Sequence, residues 1–235
     1  MRFGVVIFPG SNCDQDIIHV LRDVMGCEVR ELWHKETDLG GLTTDDCIVL
    51  PGGFSYGDAL RTGAIARFSP IMSAVIQHCE DGGKAWGICN GFQILCEAGL
   101  LPGVLLENAD QKFICKNVHL KIGNAWSRIT ADIPADQVLR IPIAHAEGRY
   151  HADAETLAEL EAHGQVIFRY CDESGAVTED ANPNGSAANI AGVCNREGTV
   201  FGMMPHPERA AEDDLGNTDG AVIFRSFLAR AGVSA

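Results

Sequence analysis

Three short apolar runs end abruptly at a polar or glycine-rich turn. "FGVVIF" (3–8) stops at "PGSN", "CIVL" (47–50) at "PGG", and "KAWGIC" (84–89) at "NG". Runs of four to six apolar residues have the length of strands buried on both faces. "EVRELW" (28–33) adds a strand-like alternation. Between these runs the period changes. Over 14–25, Ile17, Ile18, Leu21, Val24 and Met25 fall on one helical face. Asn12 or Ser11 is the expected cap of that helix, with Asp14 and Asp16 at its positive end. Residues 64–79 predict a second helix and "NGFQILCEAG" a third. Strand and helix alternating at this spacing predict an α/β fold: an open, mainly parallel sheet flanked by helices.

The texture changes near residue 117. "VHLKI", "VLRIPIAH" and "QVIFRY" read as β segments joined by polar loops, and "GAVTEDANPNGSAAN" (175–189) as a turn-rich loop or hairpin tip. "IAGVCN" and "TVFGMM" are expected to pair across "REG". A closing helix places Ala221, Phe224, Leu228 and Ala231 at helical spacing. There is no linker, repeat or low-complexity stretch. With 235 residues, 46% of them hydrophobic, the chain supports one domain, 1–235, with a β-rich excursion inside it.

Charge and cysteine usage exclude several classes. A net charge of −14 argues against nucleic acid as partner. No stretch approaches the roughly 20 apolar residues of a membrane span, and the N-terminus reads as a first strand and not as a signal peptide. Nine cysteines is an odd count without a C-x-x-C pair. Cys27, Cys47, Cys79 and Cys194 lie in or beside apolar runs, as buried free thiols do. The expectation is a reducing cytoplasm, with eight cysteines serving as small core hydrophobes.

Cys89 is the exception. Gly87, Cys89 and Gly91 spell G-x-C-x-G where a strand turns into a helix, the geometry of a nucleophile elbow. Glycines two positions either side relieve the crowding of that turn. The helix that follows directs its positive end at the sulfur and favours the thiolate. The Asn90 N–H is placed to donate to an oxyanion.

A thiol nucleophile needs a base, and the base an orienting carboxylate. "GMMPHPER" supplies His206 and Glu208 after a strand. Prolines bias the residues before them towards extended backbone, so His206 and Glu208 are expected to project together. "PGGFSYGD" (51–58) follows another strand, and its Gly52 and Gly53 allow backbone N–H groups close to a ligand. All these segments are expected at the C-terminal edge of the sheet, where ligands bind in open α/β folds. The glycines do not fit a dinucleotide loop, and no P-loop or basic phosphate cradle is present.

"PGG", then G-x-C-x-G-x-Q, then H-P-E, in that order, resemble the class I glutamine amidotransferases, which have a flavodoxin-like sheet. "FPGSNCDQD", "PGGFSYGDALRTGAIA", "GICNGFQIL", "IPIAHAEGRY", "NPNGS" and "GMMPHPERA" span residues 8–210. Together they resemble the glutaminase subunits of phosphoribosylformylglycinamidine synthase. The resemblance implies that Cys89 is the nucleophile, His206 the general base and acid, and Glu208 the orienting carboxylate. It implies Gly53 and Asn90 as oxyanion-hole donors, and Gly52, Gln93, Asn108 and Phe113 as residues around L-glutamine. It implies no metal or cofactor in this chain. ATP and Mg would belong to a separate synthetase subunit, accompanied by a small accessory subunit. That partner would use the ammonia to convert formylglycinamide ribonucleotide to formylglycinamidine ribonucleotide in purine biosynthesis. Ala146 departs from the pattern, where glycine is expected.

Three rivals compete. A stand-alone cysteine hydrolase of the DJ-1-like type also uses an elbow cysteine but needs neither H-P-E nor "PGGFSYGD". His145 and Glu147 spell the H-x-E of a zinc deaminase, but no P-C-x-x-C follows to complete the metal ligands. A non-catalytic scaffold is at odds with an intact Cys89, His206 and Glu208. The charged segment "HAEGRYH" (145–151), with His145, Glu147 and Arg149, is expected to form a partner-facing rim.

Overall fold

The computed structural model describes residues 1–124 and 126–230. Eleven strands form: β1 (Phe3–Ile7), β2 (Val29–Trp33), β3 (Cys47–Leu50), β4 (Lys84–Ile88), β5 (Val104–Leu106), β6 (Ile114–Ile122), β7 (Val138–His145), β8 (Arg149–His151), β9 (Val166–Cys171), β10 (Ile190–Cys194) and β11 (Val200–Met203). The helices are α1 (Asp14–His19), α2 (Pro70–Glu80), α3 (Asn90–Glu97), α4 (Ala154–Ala162) and α5 (Asp219–Arg230). A π-helical turn, Val20–Val24, extends α1.

Nine strands make one sheet in the order β2-β1-β3-β4-β11-β10-β9-β6-β7. The first five are parallel. Their 2-1-3-4 order, closed by a late fifth strand, is the flavodoxin-like winding. From β11 onward every pairing is antiparallel. The β-rich excursion therefore extends the sheet, and β5 and β8 form a separate two-stranded ribbon. β10 and β11 pair antiparallel across "REG" as expected.

The apolar runs take the central places because both faces are covered. Every residue of β3 is fully buried. On one face Phe227 of α5 meets the rings of Phe3, Trp86 and Phe201, from β1, β4 and β11, at 5.5–6.1 Å. On the other face Phe92 of α3 stacks on Tyr150 of β8 at 6.0 Å. Tyr150 donates to the Pro102 carbonyl at 2.8 Å, which ties the ribbon to the end of α3. Ala221, Phe224 and Leu228 are buried along α5; Ala231 lies outside the described residues.

Local expectations fail at identifiable places. Helix α2 begins at Pro70, not at residue 64, because proline fits the first helical turn and not the interior; residues 64–69 are turns and a 3-10 segment. Neither Ser11 nor Asn12 caps α1. Cys13 holds that position without a side-chain bond, and the Ser11 hydroxyl accepts from Phe8 N instead. Helix α4 interrupts the stretch expected to be polar loop. Asp153 caps it by accepting from Thr156 N at 2.8 Å, and Leu160 is its one buried residue. Among the described residues no helix is long and apolar enough to cross a membrane.

Candidate active site

The C-terminal ends of β1, β3, β4 and β11 converge on Cys89. Its backbone stands at φ 50°, ψ −106°, an arrangement that costs a non-glycine residue about 1–3 kcal/mol and persists only where its surroundings impose it. They do so here. Cys89 N donates to Met203 O at 2.7 Å, and Gln93 N donates to Cys89 O at 3.2 Å. The flanking glycines are required by space. A Cβ on Gly91 would stand 1.8 Å from Leu50 O, and one on Gly87 2.5 Å from Gly91 O. The first turn of α3 thus lies directly on β3 and β4. The sulfur, 3.9 Å from Ala144 O, faces the end of β7.

His206 follows β11, the strand paired with β4 in the register Met203↔Ile88. The two sheet neighbours therefore deliver the thiol and the imidazole side by side. His206 Nδ1 and Glu208 Oε1 are 2.6 Å apart, and both side chains are buried. The expected pairing forms, but not on extended backbone: Pro207–Ala210 is a 3-10 turn. Burial alone would push the imidazole down, yet the Glu208 carboxylate and the Cys89 sulfur hold it well above the ordinary histidine value. The pair thus favours a proton on the ring beside the thiol.

A cavity of about 230 Å³ opens over this pair, lined by Cys89, His206, Gly53, Ala144 and Phe113, with Asn12, Cys13, Phe54, Cys115 and Arg209 completing its wall. Arg209 is the one charged residue besides His206 in that lining. Its Nε donates to Asp16 at 3.0 Å and its Nη2 to Cys13 Sγ at 3.0 Å. Burial opposes its charge, but Cys13, Asp16 and Glu208 raise the guanidinium above its usual value. The cysteines are all free, but two others besides Cys89 are not core hydrophobes. Cys115 is exposed at the cavity mouth, and Cys13, though buried, faces the cavity.

The remaining expected residues divide. Gly53, at φ 139°, lines the cavity. Gly52 does not line it; its carbonyl accepts from Cys13 N at 3.4 Å, and its Cα packs against the His206 ring. Asn90, directly after Cys89, is buried; its Oδ1 accepts from Ser55 N at 3.1 Å and its Nδ2 donates to Gln93 Oε1 at 2.9 Å. Gln93 in turn donates to the Glu147 carbonyl and so is turned into the protein, not into the cavity. Phe113 lines the mouth, 52% exposed.

Asn108 is buried and does not reach the cavity. Its Nδ2 donates to His145 O at 2.9 Å, and its Oδ1 accepts from Gly148 N at 3.2 Å and faces His145 Nδ1 at 3.1 Å. It fixes the 145–148 turn. Of the segment expected to form a partner-facing rim, His145, Gly148 and Tyr150 are buried, Glu147 and Arg149 half-buried, and Ala146 and His151 exposed; Glu147 accepts from Thr62 Oγ1 at 2.8 Å. Burial and the nearby His206 lower the His145 imidazole to about 4, which keeps it neutral.

Sequence reasoning missed Asn12, Cys13, Phe54, Cys115, Ala144 and Arg209. Position at the end of β1 was a signal for Asn12 and Cys13, since ligands gather outside the carboxyl ends of strands. Arg209 had no signal, because its partners lie 193 and 196 positions away.

A strained elbow cysteine, a buried His–Glu pair and two glycine-rich strand ends on this winding define a glutamine amidotransferase of the class I kind. Accordingly, residues 1–218 match the family described as CobB/CobQ-like glutamine amidotransferase domain. The chain is 58% identical to the phosphoribosylformylglycinamidine synthase subunit PurQ of Moorella thermoacetica, over 97% of this chain and 95% of that one. It is 55% identical to the PurQ of Salinibacter ruber over the same shares. Among solved structures, a chain of PurLQS from Thermotoga maritima superposes with a TM-score of 0.83 at 42% identity, covering 97% of this chain and 98% of that one. The chain belongs to the PurQ family of phosphoribosylformylglycinamidine synthase subunits.

Proposed function

We propose that this chain hydrolyses L-glutamine to glutamate and ammonia in the cytoplasm, and passes the ammonia to a separate synthetase subunit. That subunit, joined by a small accessory subunit, makes formylglycinamidine ribonucleotide from formylglycinamide ribonucleotide in purine biosynthesis. ATP and Mg act on the synthetase; this chain needs no cofactor. The observation that carries the reading is the Cys89 elbow, held at φ 50° one sheet neighbour away from the buried His206–Glu208 pair.

Cys89, its proton held by His206, attacks the carboxamide carbon as the thiolate. The Gly53 and Asn90 N–H groups receive the oxyanion. The carbon–nitrogen bond breaks as His206 returns the proton to the departing ammonia. Water then attacks the γ-glutamyl thioester, giving up a proton to His206, and glutamate leaves with the sulfur restored. Glu208 holds the ring in register for both half-reactions. Phe113 shapes the space for glutamine, and Gly52, outside the cavity, leaves room for the His206 ring. Gln93 reaches it once its bond to the Glu147 carbonyl is exchanged for one to substrate. Asn108 acts behind the site, through the 145–148 turn.

The test is steady-state glutamine hydrolysis by the isolated chain and by the chain with synthetase, ATP and acceptor ribonucleotide. Turnover is expected to be low alone and to rise in the complete mixture. Equal turnover in every condition would overturn the coupled-subunit reading in favour of a stand-alone hydrolase.

A further inference from the structure

The cavity wall holds a cation, Arg209, for which the proposed steps have no use. The 3-10 turn Pro207–Ala210 carries Glu208 and Arg209 and follows directly on His206. Within it, Arg209 N donates to His206 O at 3.2 Å. The side chain leaves this segment and crosses to another. One edge of the guanidinium bonds Asp16 Oδ2 through Nε and Cys13 Sγ through Nη2, both at 3.0 Å. Cys13 is the N-cap of α1, and its backbone N donates to Gly52 O at 3.4 Å. The next residue, Gly53, is the one that offers its N–H to the oxyanion. We propose that Arg209 is a positioning residue that acts through Cys13 to set the direction of the Gly53 N–H, an inference that rests on the glutaminase reading.

The Gly52 carbonyl and the Gly53 N–H belong to one trans peptide plane, in which they point in opposite directions. Holding that carbonyl on Cys13 N therefore fixes where the N–H points. The glycine pair itself gives little resistance to a flip of the plane, because glycine accepts either sign of φ. Resistance comes from the turn after β1. Phe54 N donates to Gly10 O at 3.0 Å, and a Cβ on Gly53 would stand 2.7 Å from Asn12 N and 2.8 Å from Ser11 Cα. The turn splints the oxyanion peptide, and Arg209 ties that splint to the segment of the base. Gly52 completes the contact: a Cβ there would lie 2.7 Å from His206 Cε1 and 3.2 Å from Cys13 Sγ. The positive end of a helix repels a cation; Asp16, in the first turn of α1, offsets that repulsion. The planar fork of a guanidinium grips two partners at once, as a single ammonium on a flexible stem does not.

Two assays separate an oxyanion role from one in binding glutamine or activating the thiol. The first is steady-state glutamine hydrolysis in the complex with synthetase, ATP and acceptor ribonucleotide. Arg209→Met should lower kcat about 10–100-fold. KM for glutamine should stay nearly unchanged, because the oxyanion forms only after attack. Arg209→Lys should recover part of the loss. The second assay is alkylation of Cys89 by iodoacetamide, followed by mass spectrometry. That reaction displaces iodide from a saturated carbon and forms no oxyanion, so its rate in Arg209→Met should match wild type. Cys13→Ala should show the same split between the assays. Adding it to Arg209→Met should cost little more, since both changes break one link. Circular dichroism checks that each variant folds; if Arg209→Met does not, Arg209→Lys takes its place, with an intermediate kcat expected. A folded Arg209→Met variant with wild-type kcat would overturn the proposal. So would a loss carried by KM, which would assign the guanidinium to the substrate carboxylate, or a matching fall in alkylation. No turnover by the wild-type complex would overturn the glutaminase reading as well.

Discussion

Replacing Gly91 by alanine tests whether packing beneath α3 sets the position of the nucleophile. The new Cβ would stand 1.8 Å from Leu50 O and 2.5 Å from Leu50 C, where even the tightest real contacts begin near 3.0 Å. Leu50 is fully buried on β3, which is paired on both sides, so the strand cannot retreat. The first turn of α3 must rise by about 1.2 Å and carry Cys89 with it. Overpacking of this kind costs about 1–3 kcal/mol, or roughly 2–12 °C in Tm for a chain of this size. A displacement of about 1 Å at the reacting atom costs on the order of 100-fold in rate. Gly26→Ala is the control, with φ 67° and nothing within 4 Å of its added Cβ. It should lose about 1–2 kcal/mol to left-handed strain and keep its turnover. Thermal unfolding and steady-state glutamine hydrolysis in the synthetase complex measure both quantities. Turnover of Gly91→Ala within about threefold of wild type would refute the argument, because the rate would then not depend on where β3 holds the elbow.

Cys89→Ala should abolish glutamine hydrolysis with circular dichroism unchanged, whereas Cys96→Ala, on the same helix, should spare it. Mass spectrometry after reaction with an electrophilic glutamine analogue should find Cys89 alone labelled. His206→Ala should cost roughly 10²–10⁴-fold in kcat and more than Glu208→Ala, since the carboxylate only orients the ring; equal losses would contradict the separate roles. At the opposite edge of the sheet, burial would raise the Asp46 carboxyl, but bonds from Arg2 and Thr43 pull it down to about 2. Its folded value lies below its unfolded one, so the stabilisation is complete above about pH 4 and disappears as pH falls towards 2. Asp46→Asn should therefore cost about 2 kcal/mol at neutral pH, and urea unfolding should show the difference from wild type closing in acid.

What the sequence made legible was local. β1, β3 and β4 announced themselves because each is an apolar run cut off by a turn, and Cys89, His206 and Glu208 because their neighbours fix the backbone around them. Helix α4 escaped because it buries little besides Leu160, so its apolar period is faint; only Asp153 before Thr156 hinted at it. Asn108 was expected beside the substrate, yet it satisfies the polar groups of a buried turn 37 to 40 residues onward. That demand exists only once the turn is buried. Cys13 and Arg209 meet across 196 positions, and no periodicity records such a meeting.

The bond from Cys89 N to Met203 O has a consequence for the order of synthesis. Cys89 emerges from the ribosome long before the strand that supports it. At 5–20 residues per second, roughly 6–23 s separate Cys89 from His206. During that interval β4 can pair only with β3, its other edge waiting for β11. The nascent chain thus carries a thiol without its base and without half of the frame that strains it. Reactivity arrives only when the returning strand closes beside β4, and a chain stalled before that strand has no means of spending glutamine.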